Sequence, residues 1–235
     1  MQIRVLFHPD EIEALPARLE PGSCCVVFDI LRATTSMVTA FEYGAHRILP
    51  METVEGARDA ALKQADAILA GERHGTPPEG FDWGNSPMEF RAAAGRTIVM
   101  TTTNGTRGIL RAAGADRVWI GAFRNLSAVA AKIVSADPAK LFLVAAGTGP
   151  ELGLEDVLAC GKLCDLLGAS TPNDSVRLAL HAWKMVGADL EVALRDTDNG
   201  QALISAGRDA DIAWAAQTDT TIVVPEFSDG AVGSS

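Results

Sequence analysis

The chain has 235 residues, 48% hydrophobic and 21% charged, so wholesale disorder is excluded and a sizeable core is expected. At about 150 residues per domain, this is one large domain or two small ones. Twenty Lys and Arg against thirty Asp and Glu leave a net charge of −10. That argues against a nucleic-acid partner, though not against a small anion met by a local cluster of donors. No apolar run approaches the roughly 20 residues of a membrane helix, and the opening MQIRVLFHPDEIEALP lacks the pattern of a signal peptide. A soluble, cytoplasmic protein without a membrane partner is expected. Cys24, Cys25, Cys160 and Cys164 read as small buried apolar residues in a reducing compartment rather than as metal ligands.

Short apolar runs alternate with helical stretches. Strands are predicted at 2–7, 24–28, 47–51, 67–70, 97–101, 117–121, 141–145 and 220–224, with helices near 35–43, 54–64, 106–113, 125–135, 154–167 and 174–186. This alternation implies an α/β fold: a layered, largely parallel sheet covered by helices. The segment after 170 reads as mainly helical, and the final SDGAVGSS reads as a frayed tail. Gly44-Ala45-His46-Arg47-Ile48 echoes Gly114-Ala115-Asp116-Arg117-Val118 at an offset of 70. The chain is expected to form a single domain over 1–235. The echo is compatible with two related, intimately packed halves whose boundary lies near 95–140, and equally with generic strand–helix grammar.

Ligands of open α/β sheets sit at the carboxyl ends of strands, where loops lead into helix N-termini. Three such crests are unusually polar: Asp29 followed by Arg32, Thr34, Thr35 and Ser36; Thr101 to Arg107, with Asn104, Gly105 and Thr106; and Gly147-Thr148-Gly149 with Glu155 and Asp156 beyond. Hydroxyls, glycine amides and an arginine at a helix start suit a phosphate or carboxylate, although each hydroxyl could simply cap a helix. A fourth stretch, 71–90, holds Glu72, Arg73, His74, Asp82, Asn85 and Ser86 among glycines and prolines, and reads as a binding loop. Asp29, Glu72, Asp82, Glu155 and Asp156 are hard oxygen ligands that suit Mg²⁺. The histidines show no zinc spacing, and neither a Walker loop nor a dinucleotide-binding glycine fingerprint is present.

VVFDILRATTS, GERHG with GFDWGNSP, TTTNGTRG and LEDVLACG, in that order, resemble the 2-phosphosulfolactate phosphatase family, the ComB-like phosphatases of coenzyme M biosynthesis. The resemblance runs from about residue 3 into the C-terminal region. It implies an α/β, Mg²⁺-dependent hydrolase that converts 2-phospho-3-sulfolactate and water to 3-sulfolactate and phosphate. Under that reading Asp29, Glu72, Glu155 and Asp156 supply metal ligands. Asp29, Arg32 and Arg107 are catalytic, and Thr34, Thr35, Arg73, Asn85, Ser86, Asn104, Gly105 and Thr106 bind the phospho-hydroxy acid. Asp29 is favoured as a metal ligand over a nucleophile, because Leu31 occupies the position where haloacid dehalogenases carry a second acid.

Two readings compete with it. The same anion pockets could make a binding protein without turnover, and an Mg²⁺-dependent lyase acting on a phospho-hydroxy acid would use similar groups. No lysine falls in the polar motifs, which leaves a Schiff-base route little support. The sequence leaves the oligomeric state open, a homo-oligomer included.

Overall fold

The computed structural model describes residues 1–169, 173–186 and 189–234. In chain order the elements are β1 (Gln2–Leu6), α1 (Pro9–Glu13), β2 (Ser23–Phe28), α2 (Ala33–Glu42), β3 (Arg47–Pro50), α3 (Val54–Ala61) and β4 (Ile68–Gly71). There follow β5 (Thr97–Thr101), α4 (Gly105–Arg111), β6 (Arg117–Gly121), α5 (Leu126–Ala136), β7 (Lys140–Ala145), α6 (Leu154–Leu166) and α7 (Asp174–Met185). The chain ends with α8 (Leu190–Arg195), α9 (Asp198–Ser205), α10 (Asp209–Ala215), β8 (Pro225–Ser228) and β9 (Ala231–Ser234).

Among the described residues, nine strands form one mixed sheet in the order β1-β7-β2-β6-β8-β9-β3-β5-β4. β1, β7, β2 and β6 are parallel neighbours, as are β3, β5 and β4. Every residue of β2 (SCCVVF) is buried, as expected of a central strand covered on both faces. The four cysteines are free and buried, and burial pushes the Cys25 and Cys164 thiols up to about 12. The outer edge of β1 is covered by the start of α7. Asn173 Nδ2 donates to the Ile3 carbonyl at 2.7 Å, and Val5 N–H donates to Ser175 Oγ at 3.1 Å. No helix among the described residues is long and apolar enough to cross a membrane.

The C-terminal expectation needs correction. Residues 220–224 form no strand, and the supposed frayed tail is instead the β8–β9 hairpin that joins the two parallel blocks. The run TTIVV is pinned by the Thr221 N–H to the Arg124 carbonyl and by Asn125 Nδ2 to the Val223 carbonyl, while Ile222 points outward. The hairpin forms because Asp229 and Gly230 both take positive φ (50° and 78°), the turn geometry that matches strand twist. Its Val232 is fully buried opposite Ile48 of β3, while Glu226 pairs with Trp119 of β6.

β6 and then β2 follow the hairpin on one side, and β3 and then β5 follow it on the other. The two sequence echoes lead into β3 and β6, which are equivalent positions in that order. Because β6–β8, β8–β9 and β9–β3 are all antiparallel, the blocks run in opposite senses along the ladder. Their loops nevertheless meet, since α4 leaves β5 and packs Gly108 against Val27 of β2 and Val144 of β7.

Candidate active site

Asp29 follows β2, and the loop around it is built by its own neighbours. Asp29 Oδ1 accepts the Ala33 N–H at 3.0 Å, in the first turn of α2. The Thr34 hydroxyl bonds both the Asp29 N–H (2.9 Å) and its carbonyl (3.0 Å), and Thr35 Oγ1 donates to the Ile30 carbonyl at 2.8 Å. Both threonines are fully buried, so in this arrangement their hydroxyls hold the loop that presents Asp29. The β5–α4 loop repeats the device: the Thr106 hydroxyl accepts the Thr102 N–H and donates to the Thr102 carbonyl. Ser36 Oγ donates to the Asn85 carbonyl, tying α2 to the 71–90 loop.

The four crests named from the sequence converge. Gly105, the first residue of α4, lies against Asp29 so closely that an added Cβ would stand 2.7 Å from Oδ2. Asn104 Nδ2 donates to the Gly147 carbonyl after β7. Glu72 receives the Thr103 N–H on Oε1 and the Gly75 N–H on Oε2, each at 2.8 Å, which joins the loop after β4 to the one after β5. Asp156, in the first turn of α6, accepts the Ile30 N–H at 2.7 Å and the Gly147 N–H at 3.0 Å. Its neighbour Glu155 accepts from Asn199 of α9, which also donates to Thr148 Oγ1. Asp82 stands apart from this group: it is exposed and accepts the Leu69 N–H. His74 is exposed as well.

Three of the carboxyls are raised above their ordinary range. Burial is the first cause for Asp29, followed by the charges of Glu72 and Glu155; the amides of Ala33 and Gly105 oppose it, and the result is about 7. Burial raises Glu155, opposed by Asn199 and Thr197. Asp156 is raised well above its usual value by burial, then by Glu155 and Asp29. The three acids are close neighbours, and burial disfavours the charged form of each. Among the described residues no three His, Cys, Asp or Glu side chains form a ready-made ion cage.

The arginines differ in availability. Arg32 is buried and paired with Asp211 of α10 at 2.8 Å, with a second bond to the Gly75 carbonyl. Arg73 donates to the Glu72 and Glu52 carbonyls and to Thr101 Oγ1. Arg107 reaches Asn104 Oδ1 at 3.4 Å, its Nε is buried without a hydrogen-bond partner, and Glu13 Oε1 stands 3.6 Å away. Asn85 is buried with its Oδ1 unpartnered, and Ser86 Oγ is spent on Asp211. A cavity of about 380 Å³ at the amino ends of β1 and β7, lined by Arg4, Arg18 and Lys140, contains none of these residues.

Sequence reasoning missed Asp211 and Asn199. Both lie on helices of the C-terminal segment, where a lone acid in ADIAW or an amide in TDNGQ looks like any surface residue.

The model of a family described as 2-phosphosulpholactate phosphatase matches residues 9–230. The chain belongs to that family. A protein of Deinococcus radiodurans named "Probable 2-phosphosulfolactate phosphatase" is 39% identical over 225 residues, covering 93% of both chains. One of the same name from Prochlorococcus marinus is 37% identical over 222 residues, covering 90% of this chain and 91% of its own. Another from Thermotoga maritima is 33% identical over 223 residues, covering 93% and 96%. The phosphatase family thus accounts for nearly the whole chain, including all four converging crests and the two helices that carry Asn199 and Asp211.

Proposed function

We propose that this chain hydrolyses the phosphate ester of a 2-hydroxy acid, with 2-phospho-3-sulfolactate as substrate and 3-sulfolactate and phosphate as products. The observation that carries the reading is the meeting of Asp29, Glu72, Glu155 and Asp156 at the junction of four loops, beside Arg107 with its buried, unpartnered Nε, in a chain of this family. A passive anion receptor gains nothing from so many acids. With Asp211, five carboxylates share the site with Arg32, Arg73 and Arg107, so full ionisation leaves an excess of negative charge that would repel a substrate carrying phosphate, carboxylate and sulfonate together.

Mg²⁺ resolves that conflict, and the donor set fits it: this ion uses one or two carboxylates and completes its shell with water and phosphate oxygens, so a cage of three protein ligands is not required. Asp29 would hold it, with Glu72, Glu155 or Asp156 contributing. When bound, Mg²⁺ supplies Lewis-acid stabilisation of charge on the phosphoryl oxygens.

The chain's own groups do the rest. The guanidiniums of Arg32 and Arg107 favour charge on the transferring phosphoryl group, while the Gly105 amide holds the Asp29 carboxylate. Arg73 and Asn85 receive the carboxylate or sulfonate end. A water oxygen attacks phosphorus and the bond from phosphorus to the C2 oxygen breaks; one water proton passes to the leaving C2 oxygen and the other stays with the phosphate. In this scheme Asp29 would be a metal ligand. Phosphorus and proton NMR of one reaction mixture test the reading: phosphorus spectra should show the ester signal replaced by an equimolar amount of inorganic phosphate, and proton spectra should show 3-sulfolactate. Conversion to carbon-skeleton fragments would assign a lyase instead.

A further inference from the structure

We propose that Asp211 is a positioning residue for phosphoryl transfer that acts through Arg32; the proposal rests on the phosphatase reading above. Asp211 and Arg32 are 179 residues apart in sequence, and each side chain is 4% exposed. The two carboxylate oxygens divide their work: Oδ2 accepts Arg32 Nη1 at 2.8 Å, and Oδ1 accepts Ser86 Oγ at 2.5 Å. One side chain from α10 thereby clamps the β2–α2 loop and the 71–90 loop together. A second bond, from Arg32 Nη2 to the Gly75 carbonyl, completes the fixation of the guanidinium.

Arg32 needs such a clamp because of where it is. It lies three residues after Asp29, in a loop shared with Glu72, Glu155 and Asp156 through direct hydrogen bonds or charge coupling. A guanidinium free to move there would collapse onto one of those acids and remove it from metal binding. Asp211 comes from outside that group. It satisfies one edge of the planar fork in a fixed direction, so the remaining N–H donors of Arg32 are aimed rather than mobile. A buried ion pair gives little net stability over a well-packed apolar pair, so stability alone does not account for placing these charges here. Asp211 touches neither metal nor substrate in this scheme.

A double-mutant cycle tests this with Asp211→Asn, Arg32→Gln and the double variant, reading kcat/KM, inorganic-phosphate affinity and melting temperature. The expected result is a fall in kcat/KM on the order of 100-fold in Asp211→Asn, carried mainly by kcat, as for a misaligned catalytic group. The double variant should be no worse than Arg32→Gln in either kcat/KM or phosphate affinity. Should Asp211→Asn alone not fold, comparison of Arg32→Gln with the double variant, which leaves no unpaired buried charge, still decides the matter. Equal values support the proposal. Additive losses, or a drop in melting temperature with kcat/KM unchanged, overturn it while leaving the phosphatase reading intact. Wild-type protein that releases no phosphate overturns both.

Discussion

Gly105 and Asp29 stand against each other across the β5–α4 and β2–α2 loops, with room for no side chain between them. A Cβ on Gly105 would meet Asp29 Oδ2 and Ala33 Cβ, each at 2.7 Å. Gly105→Ala must therefore displace the carboxylate or the start of α2. It is expected to lower kcat/KM on the order of 100-fold and to cost about 1–3 kcal/mol of stability. Steady-state kinetics and a denaturant melt of the same preparation check both values.

Asp29→Asn separates function from stability at one position. Hydrolysis should be lost whether Asp29 binds metal or attacks phosphorus. The metal-free variant should melt above wild type at pH 8, because the buried charge is gone. Rapid acid quench of wild type during turnover should trap no phosphoenzyme. A trapped aspartyl-phosphate would reassign Asp29 as the nucleophile.

The raised acids give a pH dependence of definite sign. Asp29 ionises near its ordinary value of 3.8 in the unfolded chain but only at about 7 in the folded one. The unfolded state therefore binds fewer protons between those values, and stability falls as pH rises from about 4 to about 7. Glu155 and Asp156 are raised too and act in the same direction. At about 1.4 kcal/mol per unit, the Asp29 contribution is on the order of a few kcal/mol. Melting temperature measured with EDTA should decline from pH 5 to pH 7.5. Mg²⁺ should raise it at pH 7.5 far more than at pH 5, where protons compete. A metal response independent of pH would contradict this assignment.

The β8–β9 hairpin makes the sheet continuous, so it should be indispensable. Val232→Asp places an unpaired charge at a fully buried position opposite Ile48, and soluble, folded protein should be lost. Ile222→Asp is a control in a neighbouring apolar run whose side chain is 89% exposed, and it should be tolerated. Equal yields of the two variants would show that the hairpin does not hold the blocks together.

These contrasts show what the sequence reveals and why. Strands containing runs such as CCVVF and LFLVA are legible because a strand buried on both faces is apolar along its buried length. The meeting of Asp29, Glu72, Asn104 and Asp156 follows in outline from polar residues at strand ends. The hairpin is hidden in the sequence because ordinary propensity favours TTIVV over PEFS and AVGS, whereas Asp229-Gly230 decides the outcome through turn geometry. Asp211 and Asn199 could not be found locally. Their significance depends on contacts to Arg32 and Glu155 made across 179 and 44 residues, and no short pattern encodes such distances.

The central claim is metal-dependent hydrolysis of a phospho-hydroxy acid, and one assay meets it directly. Purified protein is incubated with 2-phospho-3-sulfolactate, phospholactate and phosphoglycolate, each with Mg²⁺ or with EDTA, and released phosphate is measured. Release is expected with Mg²⁺, fastest from 2-phospho-3-sulfolactate, and EDTA should abolish it. Release that persists undiminished in EDTA, or none from any ester while these anions still raise the melting temperature, would contradict the claim.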